Sequence, residues 1–162
     1  MDFSEVVALR HSVRHFTPEE VEREKIDRII EVAQTAPSSK NSHSTGFMIV
    51  QDRDLLDAFS RMRTHGSSLL GRAAAAIVVL GDSTKTDLWV DNCSISATFL
   101  QLAAVNEGLG SCWVHVNGRL RDPEDPSKGD AEGYLRELLG IKDNMRVHCV
   151  VALGYEDKEY GK

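Results

Sequence analysis

DLWVDNCSISATFLQLAAVNE, residues 87 to 107, decides the fold. From Cys93 to Val105, apolar or small residues fall on nearly every face of a helical wheel, the pattern of a helix enclosed on all sides. At that length it spans about 30 Å. Such a helix runs through a core or across an interface between subunits. Gly108 and Gly110 end it, and SCWVHV (111–116) follows as a strand.

Upstream, GFMIVQ (46–51) and the apolar part of AAAAIVVLGD (73–82) read as buried strands, with DRDLLDAFSRMR between them at helical periodicity. Residues 2–9 suit a short helix. A second helix is predicted from Thr17, with Pro18 at its first position and Glu20 completing a capping box. Its apolar face carries Ile26, Ile29, Ile30 and Ala33, and Ala36-Pro37 ends it. Downstream, the polar run 117–133 is a long loop and the only candidate for a lid. YLRELLG is a short helix stopped by Gly140, and RVHCVVALGY (146–155) is the last buried strand. The sum is four or five strands and about five helices without strict alternation. That pattern predicts an α+β fold, one domain over residues 1–162, with a sheet layered by helices.

Composition excludes several classes of function. The 162 residues are 41% hydrophobic and 27% charged, with 12 Gly and 4 Pro, so a globular core is expected rather than disorder. A formal charge of −6 and a pI near 5.5 argue against a general nucleic-acid surface; any anion must be met by a local cluster of cations. No signal peptide and no apolar run long enough for a membrane span is visible, which predicts a cytoplasmic location. Cys93, Cys112 and Cys149 are widely spaced among apolar neighbours and read as buried reduced thiols. No phosphate loop, nucleophile elbow or zinc-protease motif occurs. His11 and His15 lie four apart, but no third ligand accompanies them, so no metal is expected.

Two polar clusters remain. RHSVRHF (10–16) crowds Arg10, His11, Ser12, Arg14 and His15 into six positions, able to clamp a phosphate or simply to form a solvated helix end. APSSKNSHSTGF (36–47) sets Pro37, Ser38, Ser39, Asn41 and His43 at a helix-to-strand junction, where they can read the polar edge of a flat heterocycle or form an ordinary loop.

Taken in order, these stretches resemble the nitroreductase family of FMN-dependent oxidoreductases. Arg10, His11, Ser12, Arg14 and Phe16 match the family's R-[RH]-S-x-[RK]-x-F. Ala36, Pro37, Ser38 and Asn41 match its A-P-S-x-x-N, residues 108–114 (GLGSCWV) match its G-L-G-[ST]-C-W-[IV], and Ala152 to Tyr155 match A-L-G-Y. The resemblance covers nearly the whole length. His43, Ser44 and Thr45 depart from the family's Gln, Pro and Trp.

The resemblance implies a nitroreductase-like fold with a mostly antiparallel central sheet, and a homodimer with FMN at the subunit interface. Arg10 and Ser12 would hold the phosphate and ribityl chain, and Arg14 the pyrimidine edge. Ser38, Ser39 and Asn41, beside Pro37 and His43, would come from the other subunit. The backbone from Cys112 through Trp113 and Val114 to His115 would pass along the ring, and Lys158 would be a second phosphate cation. The implied chemistry is ping-pong hydride transfer from NADH or NADPH through FMN to a small acceptor such as a nitroaromatic or quinone, with no catalytic side chain. A flavin carrier or redox sensor, and a flavin enzyme performing reductive dehalogenation or flavin cleavage, are the alternatives.

Overall fold

The computed structural model describes residues 1–160, and its first ordered feature is a reciprocal cap. The Glu5 N–H donates to Asp2 Oδ1 at 2.9 Å, and the Asp2 N–H donates to the Glu5 carboxylate at 3.0 Å. This capping box opens α1 (Phe3–Leu9). The next helix, α2 (Arg23–Gln34), begins six residues after the expected Thr17, with Glu22 as an N-cap that makes no side-chain capping bond. Residues 17–22 are non-helical because distant partners hold them. The Thr17 N–H donates to the Tyr155 carbonyl at 2.9 Å, and Val21 is buried in the core. These contacts override the local signal of Thr17, Pro18 and Glu20.

Four strands form one sheet: β1 (Thr45–Val50), β2 (Ala75–Asp82), β3 (Gly110–His115) and β4 (Met145–Gly154). Their order is β1-β2-β4-β3 and every pair is antiparallel. Side chains alternate between two cores. Ala76, Val78 and Leu80 of β2 face α3 (Arg53–Ser60) and α5 (Ala131–Leu139), whereas Ala75, Ile77 and Val79 face α2 and α4 (Trp89–Asn106). Both faces of the central strands are therefore covered, which is why β2 reads as an unbroken apolar run.

Helix α4 is buried along most of its circumference, with Cys93, Ala97, Leu100 and Ala104 fully inaccessible at helical spacing. The expected enclosure has one gap, a strip where Asp91, Ile95, Thr98 and Asn106 remain exposed.

The strap formed by residues 10–16 lies against the sheet. Ser12 bridges Ser111 in parallel, and the Val13 N–H donates to the Ser111 carbonyl at 2.9 Å. Two glycines permit this approach. A Cβ at Gly110 would stand 2.8 Å from Val13, and one at Gly154 would stand 2.7 Å from the Phe16 ring. Gly154→Ala therefore forces the ring of Phe16 aside, and destabilisation of about 1–3 kcal/mol is expected. Urea unfolding checks this as a lower midpoint at unchanged m-value.

Candidate functional site

Strand register sets where the two polar clusters stand. The strap meets β3 at Ser111, which lies level with Leu153 and Ala75 at one end of the sheet. The loop 37–44 enters β1 at Thr45, which lies level with Gly81 and Arg146 at the other end. β1 and β3 are also opposite edge strands. Three strand spacings and about six residues of rise separate these corners by about 25 Å. One protomer thus keeps Arg10, Ser12 and Arg14 apart from Ser38, Ser39 and Asn41. Helix α4 links the corners: its 18 residues reach about 27 Å.

At the strap corner, Arg10 is the C-cap residue of α1 and is half-buried, while Ser12 and Arg14 are exposed. Among the described residues, neither Arg10 nor Arg14 has a carboxylate within ion-pair distance, although seven other cationic side chains and His11 do. His11 is engaged elsewhere. Its Nε2 pairs with Glu156 at 2.9 Å and its Nδ1 faces the Leu9 carbonyl at 2.9 Å. The Glu156 carboxylate, then the Leu9 carbonyl, raise its pKa, so the ring ties the strap to the segment after β4. His15 stacks on Tyr160 with centroids 5.2 Å apart. Residues 10–16 contain no helix, so His11 and His15 do not share a helical face. Lys158 is exposed and lines a cavity of about 380 Å³ with His11 and Ser111.

Along β3, the side chains of Cys112 and Val114 are buried in the α3/α5 core, leaving their backbone as the part that can meet a ligand. β3 is an edge strand, so alternate N–H groups point away from the sheet. Burial pushes the Cys112 thiol pKa up and outweighs the opposing charge of Arg14, which keeps the sulfur protonated at neutral pH. Trp113 and His115 project to the α4 side, and the indole N–H donates to His115 Nδ1 at 3.1 Å. That bond fixes a neutral imidazole with hydrogen on Nε2. Burial, followed by Arg119, lowers the His115 pKa in the same sense.

The second corner is organised by a residue that sequence reasoning passed over. Asn92, 2% exposed on the first turns of α4, shares its two Nδ2 hydrogens among Ser39 Oγ (3.0 Å), Ser42 Oγ (3.3 Å) and Ser44 Oγ (2.9 Å). Its Oδ1 accepts from the Ser39 N–H at 3.0 Å. Ser38 Oγ closes the loop by accepting from the His43 N–H at 3.0 Å. Within this loop Lys40, Asn41 and His43 have φ of 50°, 53° and 47°, a left-handed region costly for side-chain-bearing residues. The bonds from Asn92 and Ser38 hold that conformation and leave Pro37, Asn41 and His43 exposed. Like Ser96 and Gln101, Asn92 is a polar residue on the buried side of α4, and that polarity was the available signal.

His148 was missed as well. It is the extra residue of a β-bulge, between the pairs Val79–Cys149 and Leu80–Val147. Its ring contacts Trp89, Trp113 and His115 edge to face, and Nε2 meets Ser94 Oγ at 2.9 Å. Burial, with His115 adding, pushes its pKa down to about 4.

The donors at the two corners fit the group that the resemblance implies. Unmatched guanidinium groups suit a phosphate, and free edge N–H groups suit the heteroatoms of a flat ring. The fold is an α+β scaffold, one antiparallel sheet layered by helices on both faces. Comparison with known proteins gives the family. The sequence pattern of the Nitroreductase family matches residues 7–64 and 60–155. A protein of Archaeoglobus fulgidus, provisionally named as an NADH dehydrogenase/NAD(P)H nitroreductase, is 37% identical over 158 residues, 95% of this chain and 85% of that one. A protein of Methanothermobacter thermautotrophicus with the same provisional name is 30% identical over 99% of this chain and 81% of its own. The solved structure of an FMN-dependent nitroreductase from Clostridium difficile superposes with a TM-score of 0.88 at 38% identity, covering 94% of this chain and 87% of that one. This chain belongs to the nitroreductase family.

Two outcomes follow from the site. Asn92→Ala removes the anchor of the 38–44 loop, and destabilisation of about 1–3 kcal/mol is expected in urea unfolding, with Asn92→Ser falling between. For His148, the unfolded imidazole takes up a proton near pH 6.5 while the folded one waits until about 4, so stability falls as pH drops through that interval. The loss is about 2–3 kcal/mol by pH 4.5. Urea midpoints at pH 7 and 4.5 check it, and His148→Gln should flatten the difference.

Proposed function

We propose that the chain acts as a homodimeric, FMN-dependent oxidoreductase in the cytoplasm, its single domain contributing half of each of two cofactor sites. The observation that carries this reading is the separation of about 25 Å between clusters that the family pattern unites on one cofactor. A second copy, related by a two-fold axis across α4, would bring its loop 38–43 to this protomer's strap. The exposed strip on α4 supports this arrangement. So does the apolar surface beside it, where Phe3 is 74% exposed, Leu9 56% and Val7 48%. An open groove of about 580 Å³ between α1, α2 and α4 adds Val32, Phe99 and Leu102 to that surface.

In this reading Arg10 and Ser12 grip the phosphate and ribityl chain, with Lys158 adding a second cation. Arg14 stands at the pyrimidine edge, where its charge favours negative charge on the ring. Backbone N–H groups between Cys112 and His115 bond the ring edge, and the partner's copies of Ser38, Ser39 and Asn41 close the other side. Bound FMN would supply the redox chemistry between NAD(P)H and an acceptor such as a nitroaromatic or quinone. The residues supply position and charge. His115 offers an N–H rather than a base, since Trp113 occupies its other nitrogen. Cys112 is a buried thiol. No side-chain acid or base is therefore assigned.

Purified protein should be yellow and lose its visible flavin absorbance when NADH or NADPH is added without oxygen. A yellow protein that neither nucleotide bleaches would instead be a flavin carrier. Arg10→Ala removes a charge-assisted phosphate contact of about 1.5–3 kcal/mol, which lowers FMN affinity at least tenfold while the fold survives. Unchanged affinity in that variant would remove the phosphate assignment.

A further inference from the structure

A second group of cations lies where β3 ends. The turn 61–64, after α3, and the segment 119–121, after β3, are locked together. The Thr64 N–H donates to the Arg121 carbonyl at 2.8 Å, while Arg121 Nε and Nη2 donate to the carbonyls of Met62 (3.2 Å) and Arg61 (2.9 Å). The Arg121 guanidinium also lies 4.0 Å over the Tyr134 ring. Arg121 is thus a staple, with two of its guanidinium N–H groups held by protein carbonyls. Arg61, Arg63 and Arg119, carried on the same two segments, are differently placed. Among the described residues none of them has a carboxylate within ion-pair distance. The nearby acid, Asp122, is already matched by Lys128 at 2.7 Å.

The cavity these segments enclose is about 480 Å³ and is walled by Arg61, Arg63, Thr64, Arg121 and the Asp122–Lys128 pair. Arg63 is partly buried and oriented, with Nη1 donating to the His115 carbonyl at 3.4 Å. Arg119 stands close enough to oppose the charge on both Arg63 and His115. Holding like charges together costs free energy unless an anion joins them, and in a chain of net charge −6 such a concentration is local, not a general trend. Its contact with His115 sets the cavity beside the strand proposed to run along the flavin.

We infer that Arg61, Arg63 and Arg119 form a phosphate subsite for the nicotinamide dinucleotide, holding its pyrophosphate or its 2′-phosphate while the nicotinamide lies on the flavin. This inference rests on the oxidoreductase reading above. The test uses FMN-loaded protein, comparing Arg119→Glu, Arg61→Glu and Arg63→Ala with the parent in anaerobic reduction by NADH and by NADPH. The expected result is an apparent Kd raised roughly tenfold or more in each variant. A rise confined to NADPH assigns the 2′-phosphate, and an equal rise with both nucleotides assigns the pyrophosphate. Calorimetry of the parent with 2′,5′-ADP and with inorganic pyrophosphate should show the same preference, which Arg119→Glu abolishes. Normal flavin reduction by both nucleotides in all three variants, with parental affinity, overturns the subsite and leaves the oxidoreductase reading standing. A flavin-loaded parent that neither nucleotide reduces sinks that reading and the subsite with it.

Discussion

Helix α4 fixes the distance on which the rest depends. Its buried side packs Cys93, Ala97, Leu100 and Ala104 against the sheet, and its ends reach two diagonal corners. Near the start Asn92 organises the loop 38–44; near the end Gln101 Nε2 donates to Ser111 Oγ at 3.4 Å, beside the strap. Because a helix has a fixed rise, neither corner can drift toward the other without breaking the core. In the function proposed above, a cofactor meeting both corners would need a second copy of the chain to bring them together.

The two corners are built by different means. At the strap corner the chain gains proximity by omission, since missing side chains at Gly110 and Gly154 let Val13 and Phe16 rest on the sheet. At the loop corner it gains shape by over-determination, with one amide holding three serines around residues of unfavourable φ. The first arrangement sets position and the second sets conformation. Both leave exposed donors where a ligand with polar edges can meet them.

Much of this was legible in the sequence. The apolar runs became the central strands because both faces of the sheet are covered, and the long helix read over 87–107 runs from 89 to 106. The family motifs named the residues at both corners. What failed was local reasoning about ends. Thr17, Pro18 and Glu20 satisfy a capping pattern, yet the bond to Tyr155 holds Thr17 outside the helix, while the cap that does form uses Asp2 and Glu5. Asn92 and His148 were hidden for a related reason. Their importance comes from partners about fifty positions away, Ser39 to Ser44 for one and Ser94 for the other, and periodicity carries no record of such pairings. The bulge that turns His148 toward α4 likewise depends on register between strands.

The clasp between the chain's beginning and its end has a consequence for assembly. His11 meets Glu156 across 145 positions, Phe16 bridges Glu156, and the Asp157 N–H donates to the His15 carbonyl at 3.0 Å. Contacts so remote along the chain form only after the intervening segments have condensed, because closing a long loop costs entropy that local pairings do not. The arginine-bearing strap is therefore positioned jointly by both ends of the chain, with Val13 and Phe16 buried beneath it.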